Sequence, residues 1–421
     1  MSDHVLVVGA GLAGLSAAVE LARAGLPVLV VDQAQAAGGA IHRQPLPGGR
    51  SLATPVQEQR WSDLMAQVAA QGSRITLALA TRFGGVDHTG TALLTGGMNR
   101  LLRPRAVVLA LGARETVRPR PGWTLPGVET AGSLQIRLKT LGEAPQGRVL
   151  LAGSGPLLLA VGAQLTKLGS PPVAILEAGR PFARPLTALG LPRDYWIEAA
   201  GYLSRLMLAR VPILTGTRLT AIRAENGALM AEASNGRRFV VDHVALHDGI
   251  RPNDLGLPIC DALPVVQLGD CREALGARAA MVDGQTGGAA LAARLLGQKA
   301  PSPDPELARQ RRAQARLADL YAHDVSADLN DLPGDTVICR CEARTLNDLR
   351  DLGPAPTARQ LRLDGRFAMG PCQGRFCGDW IARLTSAQAI KPGIGAPRWP
   401  ARPIAVADLL AATDETEGEN P

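Results

Sequence analysis

The chain of 421 residues is 46% hydrophobic but only 3% aromatic, which excludes a disordered protein and predicts cores built from alanine, leucine and valine. Its length predicts two to four domains. Lysine and arginine exceed aspartate and glutamate by 45 − 38 = 7, and no basic run carries interleaved aromatic residues, so nucleic-acid binding is not expected.

The sequence has no sign of export or of a membrane span. No uninterrupted apolar stretch approaches the ~18 residues that a transmembrane helix needs, and the N-terminus carries neither a signal-peptide pattern nor a twin arginine. We therefore expect a cytoplasmic protein, or one that is peripheral to the inner membrane through its complex. Six cysteines in such a protein predict metal or redox use rather than a disulfide framework.

The chain begins with a complete dinucleotide-binding pattern. The apolar run Val5–Val8 leads into a glycine turn, a helical pattern follows at 15–24, and a second apolar run, Val28–Val31, ends at an aspartate. This spacing is typical of a site for a pyrophosphate and a ribose. A glycine pair and an arginine beyond the second strand would pass close to the same ligand. The residues expected to bind the cofactor are Gly9, Gly11, Gly14, Asp32, Gly38, Gly39 and Arg43. The alternative is a glycine-rich turn that only packs a helix against a strand.

A helix and several strands are predicted next. Residues 61–71 favour a helix, and residues 75–79 and 92–94 favour short strands. The apolar run at 106–111 predicts a parallel strand that is buried on both faces. Gly112 follows this run, at the end of a strand where open α/β sheets bind ligands.

The opening pattern returns at 149–177, after a linker rich in proline and glycine at 119–127. The residues expected to contact a nucleotide here are Gly153, Gly155 and Glu177. Leu158 stands where the third glycine would be, and it should hold the helix away from the strand and weaken pyrophosphate binding. This half therefore either binds an adenine nucleotide, NAD(P) or ATP, or is a retained nucleotide-binding fold without a ligand.

Residues 213–246 predict a meander of short strands separated by turns. The apolar strand at 265–268 then ends in Gly269 and Asp270. A carboxylate at the end of such a strand would face a cofactor's polyol, so both residues are candidate cofactor contacts.

The segment after this strand is expected to form an irregular insert at 271–283 followed by a helix at 287–296. A proline-rich hinge at 301–305 and a charged helix at 306–321 predict a linker.

The most specific signal lies in the last hundred residues, where C-x-C is followed after thirty residues by C-x4-C. The four cysteines are Cys339, Cys341, Cys372 and Cys377. Four thiolates in two close pairs can hold one compact metal centre, and arginines in the same segment would offset the negative charge. A tight C-x-C pair favours a [2Fe–2S] cluster over zinc, whose structural sites usually have C-x2–4-C pairs. Zinc remains the alternative.

Other chemistry-bearing residues are isolated in the sequence. Cys260 and Cys271 have no comparable partners and are expected to be buried or loop thiols. No C-x2-C or C-x4-C occurs within residues 1–300, so the disulfide relay of glutathione-reductase-like enzymes is missing. His243 and His247 are expected in a strand rather than on one helix face. We assign no catalytic residue.

These motifs carry a resemblance over nearly the whole chain. Residues 1–300, with GAGLAG and the glycines and acids that follow it, resemble flavoproteins with two dinucleotide-binding domains. The segment CRC…MGPCQGRFC resembles the bacterioferritin-associated-ferredoxin-like [2Fe–2S] domain. In this order the two resemble the flavin and iron–sulfur subunits of heteromeric amine dehydrogenases. That family includes the corresponding subunits of opine oxidase and hydrogen cyanide synthase, and the alpha subunits of D-hydroxyproline and proline dehydrogenases.

The resemblance implies an α/β fold with glutathione-reductase-like Rossmann halves and a small C-terminal [2Fe–2S] domain. The implied domains are an FAD-binding domain at 1–118 and 247–300, an NAD(P)-type nucleotide-binding domain at 119–246, a linker helix at 301–330, and the [2Fe–2S] domain with the C-terminal tail at 331–421. The implied cofactors are FAD and a [2Fe–2S] cluster.

The resemblance also implies a function within a complex. A partner flavin subunit of the D-amino-acid-oxidase type would oxidise the C–N bond of a secondary amine or imino acid of the opine, hydroxyproline, proline or glycine type. A small third ferredoxin-like subunit can belong to such a complex. The present chain would pass the electrons to a respiratory or quinone acceptor. The alternatives are a self-contained NAD(P)H-dependent flavin oxidoreductase and a non-catalytic scaffold.

Overall fold

A computed structural model of the protein describes residues 3–253, 261–302, 304–324, 329, 331–385 and 399–417. Cys260 lies outside these described residues, so its expected isolation stays a prediction. Within the same ranges, no helix is both long enough and apolar enough to cross a bilayer.

Strands and helices alternate through the first three hundred residues. The strands are β1 Val5–Val8, β2 Val28–Val31, β3 Ile75–Ala78, β4 Thr81–Val86, β5 Ala92–Gly96, β6 Arg100–Leu102, β7 Ala106–Leu109, β8 Ala113–Glu115, β9 Val128–Thr130, β10 Val149–Gly153, β11 Ala174–Glu177, β12 Ile213–Thr215, β13 Leu219–Glu225, β14 Ala228–Ala233, β15 Arg238–Val241, β16 His243–His247, β17 Ile250–Pro252, β18 Val265–Gln267, β19 Val337–Cys339 and β20 Arg344–Thr345. The helices are α1 Leu12–Arg23, α2 Pro55–Ala69, α3 Ala131–Leu141, α4 Pro156–Lys167, α5 Pro185–Leu189, α6 Arg193–Leu208, α7 Ala277–Leu295, α8 Pro305–Leu320, α9 Leu346–Arg350, α10 Ala358–Leu363, α11 Gly378–Leu384 and α12 Val406–Glu417.

The first sheet contains five parallel strands in the order β18-β7-β1-β2-β3. Its central strands β1, β2 and β7 are buried along their whole length. One face packs against α1, α2 and α7, and the other against the antiparallel sheet β4-β5-β6. Unbroken apolar runs suit strands that are covered on both faces, and the parallel strand predicted at 106–111 is confirmed.

Helix α7 packs along α1 through glycines. A Cβ atom at Gly284 would lie 2.8 Å from the Cα of Ala13, and one at Gly288 would lie 2.7 Å from the Cα of Ala17. Neither distance is compatible with a side chain, so these glycines let the two helix backbones touch. The helix begins at Ala277 and ends at Leu295, so the helix expected at 287–296 is present but starts ten residues earlier than expected. The expected irregular insert at 271–283 is wrong beyond Gly276.

The second sheet is also parallel, in the order β12-β11-β10-β16-β9. Leu158 is fully buried in the core that α3, α4 and α6 form on this sheet. The close approach of α4 to the sheet occurs one turn later, at Gly162, where a Cβ would lie 3.0 Å from the Cδ1 of Ile175. The meander predicted within 213–246 is confirmed as the antiparallel sheet β13-β14-β15.

Side-chain caps mark the starts of α2 and α8, among other helices. Thr54 and Gln57 form a capping box at the start of α2, with proline in its first turn, so this helix begins earlier than the predicted 61–71. Asp304 caps α8, and the helix predicted at 306–321 agrees with the structure to within one residue at each end. The start of α2 was predicted too late because its first turns are mostly polar. The hydrophobic periodicity from which a helix is predicted starts only after them.

The cysteine-bearing segment has a small core of its own. Leu361, Phe367 and Ile381 are fully buried within it, and Trp380 is nearly so. The last helix, α12, returns to the first half and packs on β5 and β6. The C-terminal residues are therefore attached to the body of the protein at more than one place.

Candidate functional site

A cavity of about 1380 Å³ lies where the carboxyl ends of both parallel sheets face each other. This is the edge at which open α/β sheets bind ligands. The predicted site residues on its wall are Gly9, Gly11, Asp32, Gly38, Gly39, Arg43, Gly112, Asp270 and Gly155. The predicted residues that do not line it are Gly14, Gly153, Glu177 and Gly269.

The first glycine turn fits the pyrophosphate and ribose of FAD. A Cβ at Gly11 would meet only the Cα of Gly39, at 3.8 Å, so the turn is open toward the cavity. No side chain caps the start of α1, which leaves its first N–H groups for an anion. Asp32 accepts hydrogen bonds from the N–H groups of Ala10 at 2.7 Å and Ala34 at 2.8 Å. These contacts hold the carboxylate beside the turn, on the cavity wall.

A loop after β2 completes this side of the cavity. The N–H of Gly38 donates to the carbonyl oxygen of Ala10 at 2.9 Å, and Arg43 lies on the cavity wall. The ammonium group of Lys139, on α3, donates to two backbone carbonyl oxygens of the loop at 3.0 and 3.1 Å. Burial, with a smaller contribution from Arg43, lowers the pKa of Lys139 to about 8. The sequence did not predict this contact of Lys139, because its acceptors are backbone carbonyl oxygens and every residue has one.

Asp270 lies on the wall at the end of β18. Its Oδ1 accepts the N–H groups of Leu275 and Gly276, both at 2.9 Å, just before α7 begins. Burial raises the pKa of Asp270, and the charge of Asp283 raises it further. The N–H of Gly269 donates to Asp283 at 2.6 Å, so this glycine is turned away from the cavity.

The acid of the second nucleotide-binding pattern is sealed inside the protein. Glu177 is only 4% exposed. Its carboxylate accepts the Ser154 hydroxyl at 2.6 Å and the N–H groups of Gly179 at 2.7 Å and Gly155 at 3.0 Å. Burial raises its pKa, against these hydrogen bonds.

The chain itself covers this carboxylate. The backbone carbonyl oxygen of Tyr321 lies 3.0 Å from the Ser154 hydroxyl, and a Cβ at Gly179 would be 2.8 Å from the same oxygen. Burial and the charge of Glu177 raise the pKa of Tyr321. The place that a ribose would take beside Glu177 is thus filled by the residue that follows α8.

Helix α8 reaches this position by bridging the two halves. Arg311 pairs with Glu273 of the first half at 2.7 Å. Asp319, near the other end of α8, pairs with Arg184 of the second half at 3.0 Å. The helix therefore runs along one side of the cavity and delivers Tyr321 to the second glycine turn.

The sequence did not predict a part-buried pair of a histidine and a glutamate on the cavity wall. The Nδ1 of His247, at the end of β16, lies 3.0 Å from the Oε1 of Glu115, at the end of β8. The other carboxylate oxygen accepts the N–H of Gly132 at 2.8 Å. Both side chains line the cavity, where such a pair can hold or transfer a proton. The two residues are 132 positions apart, and no local motif links them.

The four predicted cysteines come together as two thiol pairs. Cys339 contacts Cys377, and Cys341 contacts Cys372, so the contacts cross the pairs that the sequence spacing suggested. The hydrogen bond from Cys377 lowers the pKa of Cys339 to about 6, and backbone N–H groups support it. The pKa of the donor Cys377 is raised by the same bond and by burial.

The backbone around these thiols has the form of a cradle. Residues with left-handed backbone are concentrated there, namely Ala343, Arg366, Ala368, Gln373 and Gly374. Such conformations persist where surrounding contacts hold them and are common at functional sites. Four thiols with N–H donors fit the ligand set of an iron–sulfur centre. In the described part of the chain, however, no three or more His, Cys, Asp and Glu side chains are grouped for a single metal ion.

The cysteine segment is docked on the body of the protein. The indole of Trp380 donates to the carbonyl oxygen of Val117 at 2.7 Å, and that of Trp123 donates to Val337 at 2.8 Å. Each hydrogen bond joins a residue of the segment to the chain around the linker at 119–127. The two parts therefore share a close interface.

This interface brings the cysteines next to the cavity. Phe376 lies on the cavity wall and immediately precedes Cys377. The guanidinium of Arg114, on β8, donates to the carbonyl oxygen of Arg375. The wall of the first nucleotide site thus continues directly into the peptide that carries the last cysteine.

Comparisons with known proteins agree with this architecture. The model of the pyridine nucleotide-disulphide oxidoreductase family matches residues 3–269. The chain is 31% identical to an opine oxidase subunit of Agrobacterium tumefaciens (strain Ach5), over 96% of this chain and 91% of that one. It is 28% identical to the HcnB subunit of hydrogen cyanide synthase from Pseudomonas protegens, over 96% and 97%.

A solved structure shares the fold. The L-proline dehydrogenase from P. horikoshii superposes with a TM-score of 0.64 and 16% identity, over 96% of this chain and 79% of that chain. The two-sheet α/β architecture predicted from the sequence is therefore confirmed.

The open first turn predicts that Gly11→Val yields a protein without flavin. The backbone at Gly11 has a φ of −85°, which valine adopts readily, so the loss would come from the side chain entering the pyrophosphate position. Flavin released per chain measures the effect. Gly201→Val, at an open position on α6, serves as the control and should keep a full complement. Full flavin content in Gly11→Val would refute the assignment.

The covered second turn predicts that NADH and NADPH do not reduce the bound flavin on the time scale of turnover. Tyr321 fills the ribose position beside Glu177, and a nicotinamide nucleotide would have to displace it. Stopped-flow absorbance after mixing with either nucleotide measures the rate. Dithionite is the control, because it should bleach the same flavin at once. Bleaching by NADH within the turnover time would show that the second site is open.

Proposed function

This chain belongs to the pyridine nucleotide-disulphide oxidoreductase family, and we propose that it is the electron-transferring FAD and [2Fe–2S] subunit of a heteromeric amine-oxidising enzyme. Membership of the family implies FAD binding and oxidoreductase activity. The similar proteins are named as subunits, of an opine oxidase and of hydrogen cyanide synthase. An amino-acid-derived amine as the electron donor fits both names.

One observation carries the electron-transfer role. Phe376 lines the cavity that holds the first glycine turn, and its neighbour Cys377 belongs to the four-thiol group. When bound, a flavin supplies two-electron chemistry and an iron–sulfur centre supplies one-electron chemistry. A short path between the two sites allows an electron pair to leave the first site one electron at a time.

The two thiol pairs favour a [2Fe–2S] cluster over zinc. A two-iron cluster needs two ligands on each iron, whereas a structural zinc needs four ligands that converge on one point. Cys339 contacts Cys377 and Cys341 contacts Cys372, as two ligand pairs of such a cluster would. The charge of Cys339 also acts on Cys341, so the four thiols form one group.

We place substrate oxidation in a partner. Residues 1–300 contain no C-x2-C or C-x4-C relay, and the partner we propose is a flavin subunit of the D-amino-acid-oxidase type, together with a small ferredoxin-like subunit. The substrate class is a secondary amine or imino acid of the opine, hydroxyproline, proline or glycine type. The acceptor is a respiratory or quinone carrier at the cytoplasmic side of the inner membrane.

The second nucleotide-binding half weighs against the alternative of a self-contained NAD(P)H-dependent flavin oxidoreductase. Such an enzyme needs a nicotinamide nucleotide beside Glu177, where Tyr321 lies. An adenine nucleotide, NAD(P) or ATP, would bind there only if Tyr321 moved. A non-catalytic scaffold, the other alternative, would purify as a colourless protein.

We predict that the isolated chain does not oxidise amines. Its cavity offers the pair of His247 and Glu115, but a flavin at the first turn of this subunit is proposed to receive electrons rather than to meet substrate. Anaerobic dye reduction with opines, proline, hydroxyproline and glycine derivatives measures this activity. Rapid amine-dependent dye reduction by this chain alone would contradict the proposal that the partner oxidises the substrate. Activity that appears only on adding a co-purified flavin subunit would support that proposal.

Cys372→Ser is predicted to lose iron and keep flavin, because the thiols and the first glycine turn are carried by different parts of the chain. The parent protein, purified without oxygen, should be brown, contain about two irons per chain, and give a rhombic electron paramagnetic resonance signal after reduction. Cys271→Ser is the matched control, because Cys271 is buried away from the four thiols beside the carbonyl oxygen of Asn253.

Metal analysis of the same preparations decides between the cofactors. Stoichiometric zinc without iron in the anaerobic protein would rule out the cluster. Loss of flavin together with iron in Cys372→Ser would show that the two sites are not separable.

A further inference from the structure

The helices α5 and α6 present an apolar surface that no other part of the described chain covers. We call it the α5–α6 face, and its residues are Leu186, Leu189, Trp196, Ile197, Met207 and Leu208. Leu186 is 84% exposed and Leu208 is 86% exposed, although leucine is among the residues most often buried in folded proteins. Exposed apolar side chains grouped on neighbouring helices are a common mark of a binding site.

The exposed residues of α6 share one side of the helix. Trp196, Ala200 and Met207 follow each other at helical spacing, and Ile197 and Leu208 flank them. The opposite side carries the fully buried Leu206, which packs with α4. The helix is therefore amphipathic with its apolar stripe pointing away from the protein.

Unpaired arginines surround this face. Arg193 lies within the stripe at the first residue of α6, Arg205 lies at its edge, and Arg210 follows the helix, all exposed. In the part of the chain that the structure describes, none of the three forms an ion pair. Of the two acids on α6, Asp194 pairs with Arg278, whereas Glu198 is exposed and accepts the hydroxyl of Tyr202 at 2.7 Å, so three arginines stand against one exposed acid.

The position of the face argues against the partner that exchanges electrons. No residue between 181 and 208 lines the flavin-type cavity, whose wall instead reaches the cysteine segment through Phe376. A partner that delivers electrons must approach that cavity or those cysteines. A symmetric contact with a second copy would also place the arginine rims of both copies close together, which costs free energy.

We infer that the α5–α6 face binds the anionic surface of a lipid bilayer. The apolar stripe would enter the boundary between headgroups and acyl chains, while the arginines would contact lipid phosphates. This arrangement needs no membrane-spanning helix. It would hold the protein at a membrane without closing the cavity or covering the cysteine segment.

The test uses the purified full-length chain and sedimentation with vesicles of phosphatidylcholine, alone or mixed with phosphatidylglycerol. The parent protein should bind the mixed vesicles, and added salt should weaken this binding. Leu186→Ser combined with Leu208→Ser should lower the partition coefficient about tenfold or more. Arg193→Gln combined with Arg205→Gln should remove the preference for anionic vesicles, with a loss of about fivefold for each arginine.

Val56→Ser combined with Val240→Ser is the control, because these exposed valines lie on α2 and β15, outside the face. This variant should bind as the parent does. Unchanged flavin absorbance and thermal unfolding would show that each variant is folded. This makes the test independent of whether the proposed catalytic function is right.

Three results would overturn the inference. The first is a parent protein that stays in solution with every vesicle. The second is binding that the leucine and arginine variants leave unchanged. The third is a dimer or a protein complex, seen by light scattering, that the leucine variant dissociates while vesicles have no effect.

Discussion

The common direction of the strands in the two parallel sheets is the constraint on which the rest of the structure depends. Because all strands of a sheet end at the same edge, residues that are far apart in sequence, such as Asp32 and Gly112, are carried to one cavity wall. The two sheets face each other across this cavity, so the second half contributes His247 and Gly155 to it. Close contacts between α1 and α7 keep the first half compact behind that wall.

The two halves use the same local pattern with different results. Asp32 holds its turn through backbone N–H groups and stays on the cavity wall. Glu177 makes the equivalent contacts in the second half, yet Tyr321 lies over it and excludes solvent. A single added helix, α8, produces this difference by bridging both halves and ending at the second turn. The acid of the first turn thus lies on the cavity wall, while the acid of the second turn is buried.

The cysteine segment is joined to the chain around the linker at 119–127 by hydrogen bonds from two tryptophans, Trp123 and Trp380, to backbone carbonyls. Such contacts are directional, and they set the orientation of the segment as well as its position. The same interface brings Phe376 to the cavity wall. The first glycine turn and the cysteine segment, which are far apart along the chain, therefore border the same cavity wall.

The sequence alone determined the features that depend on neighbours in the chain. Apolar runs, a glycine turn and an acid at fixed spacing predicted β1, α1, β2 and the first nucleotide site, and the cysteine spacing predicted the thiol group. It placed the start of α7 ten residues too late, and only the structure shows that Gly284 and Gly288 pack this helix against α1. Only the tertiary structure placed Glu115 beside His247, Tyr321 over Glu177 and Lys139 under the loop at 38–43. These contacts join distant residues or end on backbone atoms, so their free energy depends on packing that no local pattern of side chains records.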